Sequence, residues 1–350
     1  MISRRKATVA SLVSTLAGAI SPPDLRAQTK FRIAVIGTEH GHVQGFTRAA
    51  ARRDDLEILG PYPFSERAKA RGQRADALAC FTSTDRHLAV AQLAADWKLP
   101  LMMEKPLAVS NEAAQDIAAL ARSAGIPIFV NYETTWYPSH EAVRRFFQEE
   151  NSGGRIRKMV AMDGHAGPKE IGVGPDFLAW LKDPARNGAG ALFDFGCYGA
   201  NLMTWLMKNQ RPRRVSCQIA TQKPAIYSPV DDEASILLDY EGAQGIIQAS
   251  WNWPFSRKDF EVYGEKAYAH AYGPATVRRR LAGSKAEEIL EAAPLIPRQA
   301  DAISHLMAVA RREVAPNALS SLENNVIATE ILVAARDSAK QQKAVSLTAK

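Results

Sequence analysis

The sequence predicts an α/β protein that opens on a doubly wound parallel sheet and continues into a second, strand-rich domain. Three observations carry that expectation. Residues 31–36, FRIAVI, are a nearly continuous apolar run, as expected of a parallel strand buried on both faces. The run passes straight into the turn Gly37-Thr-Glu-His-Gly-His42 and a helix-suited stretch over 43–53. Strand-suited and helix-suited segments then alternate through residue 130, the pattern of a parallel sheet with helical crossovers. At 350 residues the chain also exceeds one typical core, so two domains are expected.

The first turn is where helix N-terminal amides would receive a phosphate of a dinucleotide. A G-x-G-x-x-G fingerprint would place glycines at 37, 39 and 42, but Glu39 and His42 hold the last two positions. Gly41 offers a shifted turn, and a carboxylate beside a pyrophosphate is electrostatically awkward. The candidate cofactor-binding residues here are Gly37, Thr38, Glu39, His40 and His42. The second strand, 56–59, ends at Gly60-Pro-Tyr-Pro-Phe-Ser-Glu-Arg67 without the acidic residue that usually holds an adenosine ribose. Ser65 and Arg67 suit a 2′-phosphate, and Arg67 equally suits a solvated helix face.

The next strand covers 77–82. The intervening 60–75 is long enough for one crossover and too short for two helices with a further strand, so this half of the sheet is expected to be one strand short. A helix over 88–96, a strand over 100–103, a helix over 111–124 and a strand over 126–130 follow. Ser110 is the expected N-cap and Gly125 the stop of the third helix.

Composition excludes some functions. Hydrophobic residues at 46% and charged residues at 23% are ordinary for a folded globular chain. Of the net +7, residues 1–27 supply +3, and no basic stripe interleaved with aromatics appears, so nucleic-acid binding has no support. Cys80, Cys197 and Cys217 lie far apart, without the spacing of a zinc site or disulfide framework. Residues 1–28 read as an export signal, Ser-Arg-Arg-Lys at 3–6 followed by a small and apolar run to Ile20. As a helix that run would reach about 21 Å, short of a bilayer core, so no stable membrane anchor is expected. The twin arginines resemble a Tat signal, with Ala7 a departure and cleavage expected after Ala27. The expectation is a periplasmic or secreted protein, carried by the Tat machinery, with residues 1–30 serving as signal and linker.

At Glu104-Lys105-Pro106, directly after a strand, the chain resembles the Gfo/Idh/MocA oxidoreductase family. Thr82-Ser-Thr-Asp-Arg-His87 is similar to the family's T-P-x-x-x-H segment, with Ser83 in place of proline. Gly188-Ala-Gly-Ala-Leu-Phe-Asp194-Phe-Gly196-Cys-Tyr198 resembles its G-G-G-A-L-x-D-x-G-x-[HY] signature, and the segment from Asn325 to Val345-Ser-Leu its closing helix and strand. The resemblance implies a Rossmann-like domain over 31–132. An α/β domain with a large open, mainly antiparallel sheet would follow over 133–350. Strand-suited segments at 155–162, 215–221, 234–238, 245–253 and 260–263 support that second sheet independently. It further implies NAD or NADP, held tightly if carried through export, a small carbohydrate substrate, and a homo-oligomer paired through the open sheet.

The resemblance places Lys105 between nicotinamide and substrate, where it would bind an oxygen and, with its pKa lowered by burial, exchange a proton. Tyr198 would donate a proton to a developing alkoxide if Lys105 lowered its pKa, with Asp194 one helical turn away orienting substrate or the catalytic pair. Thr82, His87 and Glu104 join the expected cofactor contacts. His165 and Asn201 join Lys105, Asp194 and Tyr198 as expected substrate contacts. His40, His42 and His87 gather at strand ends, but no spacing enforces a metal site and no metal is expected. Trp136, Tyr137, Trp180, Trp251 and Trp253 suit sugar stacking, although core packing accounts for most of them. The expected activity is hydride transfer between a nicotinamide and a sugar or polyol. Two alternatives stand beside it: a glycosidase that retains NAD and oxidises a sugar transiently, and a sugar-binding protein of the same fold without catalysis.

Overall fold

The computed structural model describes residues 30–347; the expected export signal lies outside the described residues. Among the described residues no helix is long and apolar enough to cross a membrane. Five parallel strands, β1 (Phe31–Ile36), β2 (Leu56–Tyr62), β3 (Ala77–Cys80), β4 (Leu101–Glu104) and β5 (Ile128–Asn131), form a sheet in the order β2-β1-β3-β4-β5. Helices α1 (His42–Ala50), α2 (His87–Trp97) and α3 (Asn111–Ala124) connect them. β3 and β4 are buried at every position, which is why their sequences read as unbroken apolar runs.

A single 3-10 stretch, Phe64–Gln73, joins β2 to β3, so β2 is the sheet edge and, among the described residues, no strand lies beyond it. Pro61 is tolerated there because an edge strand leaves one side of its ladder unpaired. Ser110 Oγ accepts the Ala113 amide at 3.2 Å and Gly125, at φ +66°, ends α3, as the sequence indicates. Strand order reverses between β1 and β3, and the crevice at their carboxyl ends is the natural ligand position.

The second sheet has nine strands. They are β6 (Ile156–Gly164), β7 (Arg214–Ala220), β8 (Glu233–Tyr240), β9 (Ala243–Ser250), β10 (Arg257–Gly264), β11 (Ala267–Tyr272), β12 (Thr276–Leu281), β13 (Glu288–Glu291) and β14 (Val345–Ser346). Their order is β13-β12-β11-β10-β6-β9-β8-β7-β14, antiparallel throughout except for the β6–β9 pair. The other helices are α4 (Pro138–Arg144), α5 (Pro175–Leu181), α6 (Pro184–Asn187), α7 (Ala191–Asp194), α8 (Gly196–Leu206), α9 (Pro224–Tyr227), α10 (Ala302–Ala310) and α11 (Leu322–Gln341). β8 alternates buried and accessible residues, the mark of a sheet covered on one face. α8 packs on that face and is buried except at Trp205. Gly199 permits the approach, since a Cβ there would meet Ile247 at 2.7 Å and Ala161 at 2.9 Å. The outer face leaves Leu237 and Tyr263 exposed.

The end of the chain returns to the first sheet. Ile303, Leu306 and Met307 of α10 share a core cluster with Phe31, Ile33 and Val35 of β1. Residues beyond 300 therefore complete the core of the N-terminal sheet, a long-range contact that local pattern did not reveal.

One staple fixes the segment between α6 and α8. Asp231 accepts the Gly190 amide at 2.8 Å and the Leu192 amide at 2.7 Å, while its own carbonyl accepts the Ala191 amide at 3.0 Å. A Cβ on Gly190 would stand 1.7 Å from the Asp231 carbonyl oxygen. Gly190→Ala is accordingly expected to destabilise the fold by about 3 kcal/mol, at the upper end for overpacking, with the loss read as a lowered denaturation midpoint. An unchanged midpoint would show that this staple yields without cost.

Candidate active site

β4 delivers Glu104 and Lys105 to the carboxyl edge of the first sheet, and the Asp231 staple delivers Asp194 from the second domain to meet them. Lys105 Nζ donates to Asp194 Oδ1 at 2.5 Å and to the Asp194 carbonyl at 2.9 Å. Both side chains are less than a tenth exposed. The second Asp194 oxygen accepts Trp251 Nε1 at 2.9 Å. A cavity of about 360 Å³ opens beside the pair, lined by Lys105, Asp194, Tyr198, His165, Lys258 and Phe177. α7 ends at Asp194 and α8 begins at Gly196, so Asp194 and Tyr198 share the cavity across a helix junction rather than along one helix.

The electrostatics correct two expectations. Burial alone would lower the Lys105 pKa, but the adjoining Asp194 carboxylate outweighs it and the ammonium is held above its ordinary range. Lys105 is thus a fixed cation, not a lysine tuned to exchange protons near neutrality. Burial likewise raises Tyr198 well above the phenol range. Lys105 Nζ lies 5.1 Å and Lys258 Nζ 4.8 Å from the centroid of the Tyr198 ring, so both ammonium groups meet its face, and burial still leaves the phenol raised. Burial would raise Asp194, yet Lys105 and Trp251 hold its carboxyl down at about 2.

His165 lines the cavity as expected. Its Nδ1 accepts the Gly167 amide at 2.9 Å, which places the proton of the neutral ring on Nε2, and burial lowers its pKa. Asn201 is not in the cavity. It is fully buried, donating to the Leu319 carbonyl at 2.8 Å and to Asn325 Oδ1 at 3.2 Å, where it ties α8 to the start of α11. Thr82 is also turned inward, donating to the Ser83 carbonyl at 3.1 Å. His87 is buried with Nδ1 3.0 Å from the Leu107 carbonyl, away from His40 and His42. The expected grouping of three histidines is therefore replaced by His40, His42 and Glu104, whose ligand-type atoms lie within 4.8 Å of one another. Burial, first, works to raise Glu104, but His42, His40 and Asn131 together bring it to about 2.

At the first turn Gly37 adopts φ +98°, and a Cβ would lie 2.4 Å from the Phe81 carbonyl carbon, so glycine is required by contact with the end of β3. Glu39 Oε2 accepts the Thr38 amide at 3.0 Å. Trp180 Nε1 donates to the Glu39 carbonyl at 3.2 Å, and the His40 ring lies 4.6 Å from Phe177. α5 thus closes over the turn. Sequence reasoning missed Phe177, Lys258 and the buried Asp163, whose pKa burial raises well above the carboxylate range. Lys258 pairs across strands with Asp163 and salt-bridges Glu133. Only the order of strands in the second sheet brings it to the cavity.

Removing one partner of the buried ion pair strands the other. Asp194→Asn is expected to cost about 3–5 kcal/mol of stability in urea melts, with part recovered in Lys105→Met/Asp194→Leu. Because the folded-state pKa of Asp194 is depressed, its contribution is complete above about pH 4 and lost as pH falls toward about 2. The acid limb of the stability profile should therefore be shallower in Asp194→Asn than in the parent chain.

Residues 134–270 match the GFO/IDH/MocA C-terminal domain, and residues 47–132 match the NAD-binding Rossmann fold of the oxidoreductase family. The second match begins after the Gly37–His42 turn. Trans-1,2-dihydrobenzene-1,2-diol dehydrogenase of Sus scrofa is 27% identical over 194 residues, 55% of this chain and 53% of that protein. The Xenopus tropicalis enzyme of the same name is 23% identical over 43% of this chain and 41% of its own length. The chain thus aligns with about half the length, or less, of these curated relatives. Among solved structures, an inositol dehydrogenase homolog from Azotobacter vinelandii complexed with NAD+ superposes with a TM-score of 0.76 at 19% identity, covering 92% of this chain and 98% of that one. An aldose-aldose oxidoreductase from Caulobacter crescentus complexed with glycerol gives 0.75 at 17%, covering 91% and 100%. With both domain matches lying in the expected order, the chain belongs to the Gfo/Idh/MocA oxidoreductase family.

Proposed function

We propose that this protein is an NAD(P)-dependent oxidoreductase acting on a small polyhydroxylated compound, a sugar or polyol. The observation that carries the reading is the Lys105–Asp194 pair, fixed at the carboxyl edge of the parallel sheet and facing a cavity of monosaccharide scale. The relatives support it: the inositol dehydrogenase homolog has been crystallised with NADH and myo-inositol, and the aldose-aldose oxidoreductase with glycerol.

The residues present fit a dinucleotide at its reactive-ring end and along the edge from β1 to α1. Gly37, Thr38, His42, Glu104 and Lys105 would hold it there. Glu39 is the exception, because its carboxylate takes the Thr38 amide that a phosphate would otherwise receive, so binding requires that side chain to swing out. When bound, the nicotinamide supplies or accepts the hydride.

The protein's own groups in the cavity are chiefly donors. Lys105 is a permanent ammonium, Lys258 offers a second one, His165 presents Nε2–H, and the Tyr198 phenol keeps its proton. Such a set polarises a carbonyl and stabilises the oxygen charge that develops as carbon accepts a hydride, and the alkoxide so formed takes its proton from solvent water entering the open cavity. Asp194 supplies no proton; it fixes the position and charge of Lys105. The reading includes export, which rests on the signal-like residues 1–28. It also includes a homo-oligomer formed through the outer sheet face, where Leu237 and Tyr263 are exposed.

Two measurements test the reading. Turnover of aldoses and polyols with NAD(H) or NADP(H), followed by nicotinamide absorbance and product mass, should yield a keto-sugar or a reduced sugar. Lys105→Met should lower kcat by about 10²–10³-fold. Release of an aglycone without net redox change would favour the retained-NAD glycosidase instead. In calorimetry, Glu39→Gly should tighten NAD or NADP at least about tenfold; unchanged affinity would clear the carboxylate of obstructing the cofactor.

A further inference from the structure

We propose that His40, His42 and Glu104 form a binding site for one divalent transition-metal ion of the zinc class. The three residues come from two elements that meet only in the folded chain: the turn after β1 and the end of β4. Their ligand-type atoms lie within 4.8 Å of one another, and His42 Nδ1 is already 3.2 Å from Glu104 Oε2. Zinc takes nitrogen and carboxylate oxygen at about 2.0–2.2 Å in tetrahedral geometry, so small side-chain adjustments bring all three onto one ion. Two histidines and a carboxylate leave an open position for an exogenous oxygen.

The surroundings are built as metal sites are built. The other Glu104 oxygen is held by Asn131 Nδ2 at 2.7 Å, and Asn131 Oδ1 in turn accepts Trp136 Nε1 at 2.9 Å. A chain of that kind orients a ligating carboxylate. The His40 and His42 rings stand 4.5 Å apart, with His40 packed beneath Phe177 and Trp180 and so fixed in place. His40 Nδ1 accepts the His42 amide at 3.2 Å, and that hydrogen bond opens when the same lone pair turns onto the ion.

Charge weighs in the same direction. Glu104 is buried, and among the described residues its ion-pair partner is His42 alone. The neighbouring Lys105 is already matched by Asp194. A buried carboxylate needs a counter-cation nearby, and a metal ion between Glu104 and the two imidazoles supplies one. The positive end of α1 opposes a cation, but its half-charge is smaller than the full charge of Glu104. His42 lines the cavity that holds Lys105 and also the adjoining one bounded by Glu104, Asn131 and Trp136. The ion's open position is thus reachable from solvent without rearrangement of the fold, and, because the dinucleotide would use His42 and Glu104 as well, ion and dinucleotide would exclude one another there.

The test uses the full chain, stripped with a chelator and dialysed, without nicotinamide or substrate, so that its outcome is separate from that of the redox reading. Titration with Co²⁺ should give one equivalent with the visible absorption of a low-coordinate nitrogen–oxygen site, and Zn²⁺ should displace it with a dissociation constant at or below about 1 μM. His42→Ala, at a half-exposed position, and Glu104→Gln should each weaken binding at least about 100-fold, and Asn131→Ala about 10–100-fold. His165→Ala should bind as the parent does. Circular dichroism of each metal-free variant checks that the fold is kept. Absence of stoichiometric uptake by the parent chain, or equal binding in His42→Ala, would overturn the proposal.

Discussion

The buried ion pair between Lys105 and Asp194 is the constraint on which the rest of the site depends. It joins the two sheets: one partner follows β4 of the parallel sheet, the other closes α7 of the second domain. Each charge would be costly alone in a buried position. The elements behind them must therefore hold register to a fraction of an ångström. Asp231 stapling Gly190 and Leu192, and Trp251 on the outer Asp194 oxygen, are the parts of the second domain that do so. Chemistry follows from that rigidity, because a lysine matched this closely stays charged and acts by polarising oxygen rather than by giving up its proton.

Much of the architecture was legible because it is written in local periods. The apolar runs of β1, β3 and β4, the Ser110 cap and the Gly125 stop each express a backbone requirement within a few residues. The missing strand beyond β2 was legible from loop length alone. Lys105, Asp194, Tyr198 and His165 could be placed together because their motifs sit at strand and helix ends that converge in this fold.

What the sequence concealed depends on tertiary geometry. Asn201 lies in the same segment as Asp194 and Tyr198, yet it points away from the cavity and secures α11 through Leu319 and Asn325. Lys258 is one of many lysines until β10 pairs with β6 and sets it beside Asp163. The return of α10 beneath β1 joins residues some 270 positions apart, and no local signal marks it. The expected pKa shift of Lys105 had the wrong sign because the compensating Asp194 carboxylate must be seen in place, and that of Tyr198 because burial of the phenol, the larger effect, raises it.

The claim that Lys105 is a fixed ammonium is tested most directly by nitrogen NMR of its side chain across an alkaline titration. The account predicts that Nζ of the parent protein remains in the ammonium form past the ordinary lysine midpoint of about 10.4, and that Asp194→Asn deprotonates earlier. A neutral amine at Lys105 near pH 8 in the parent protein would contradict it.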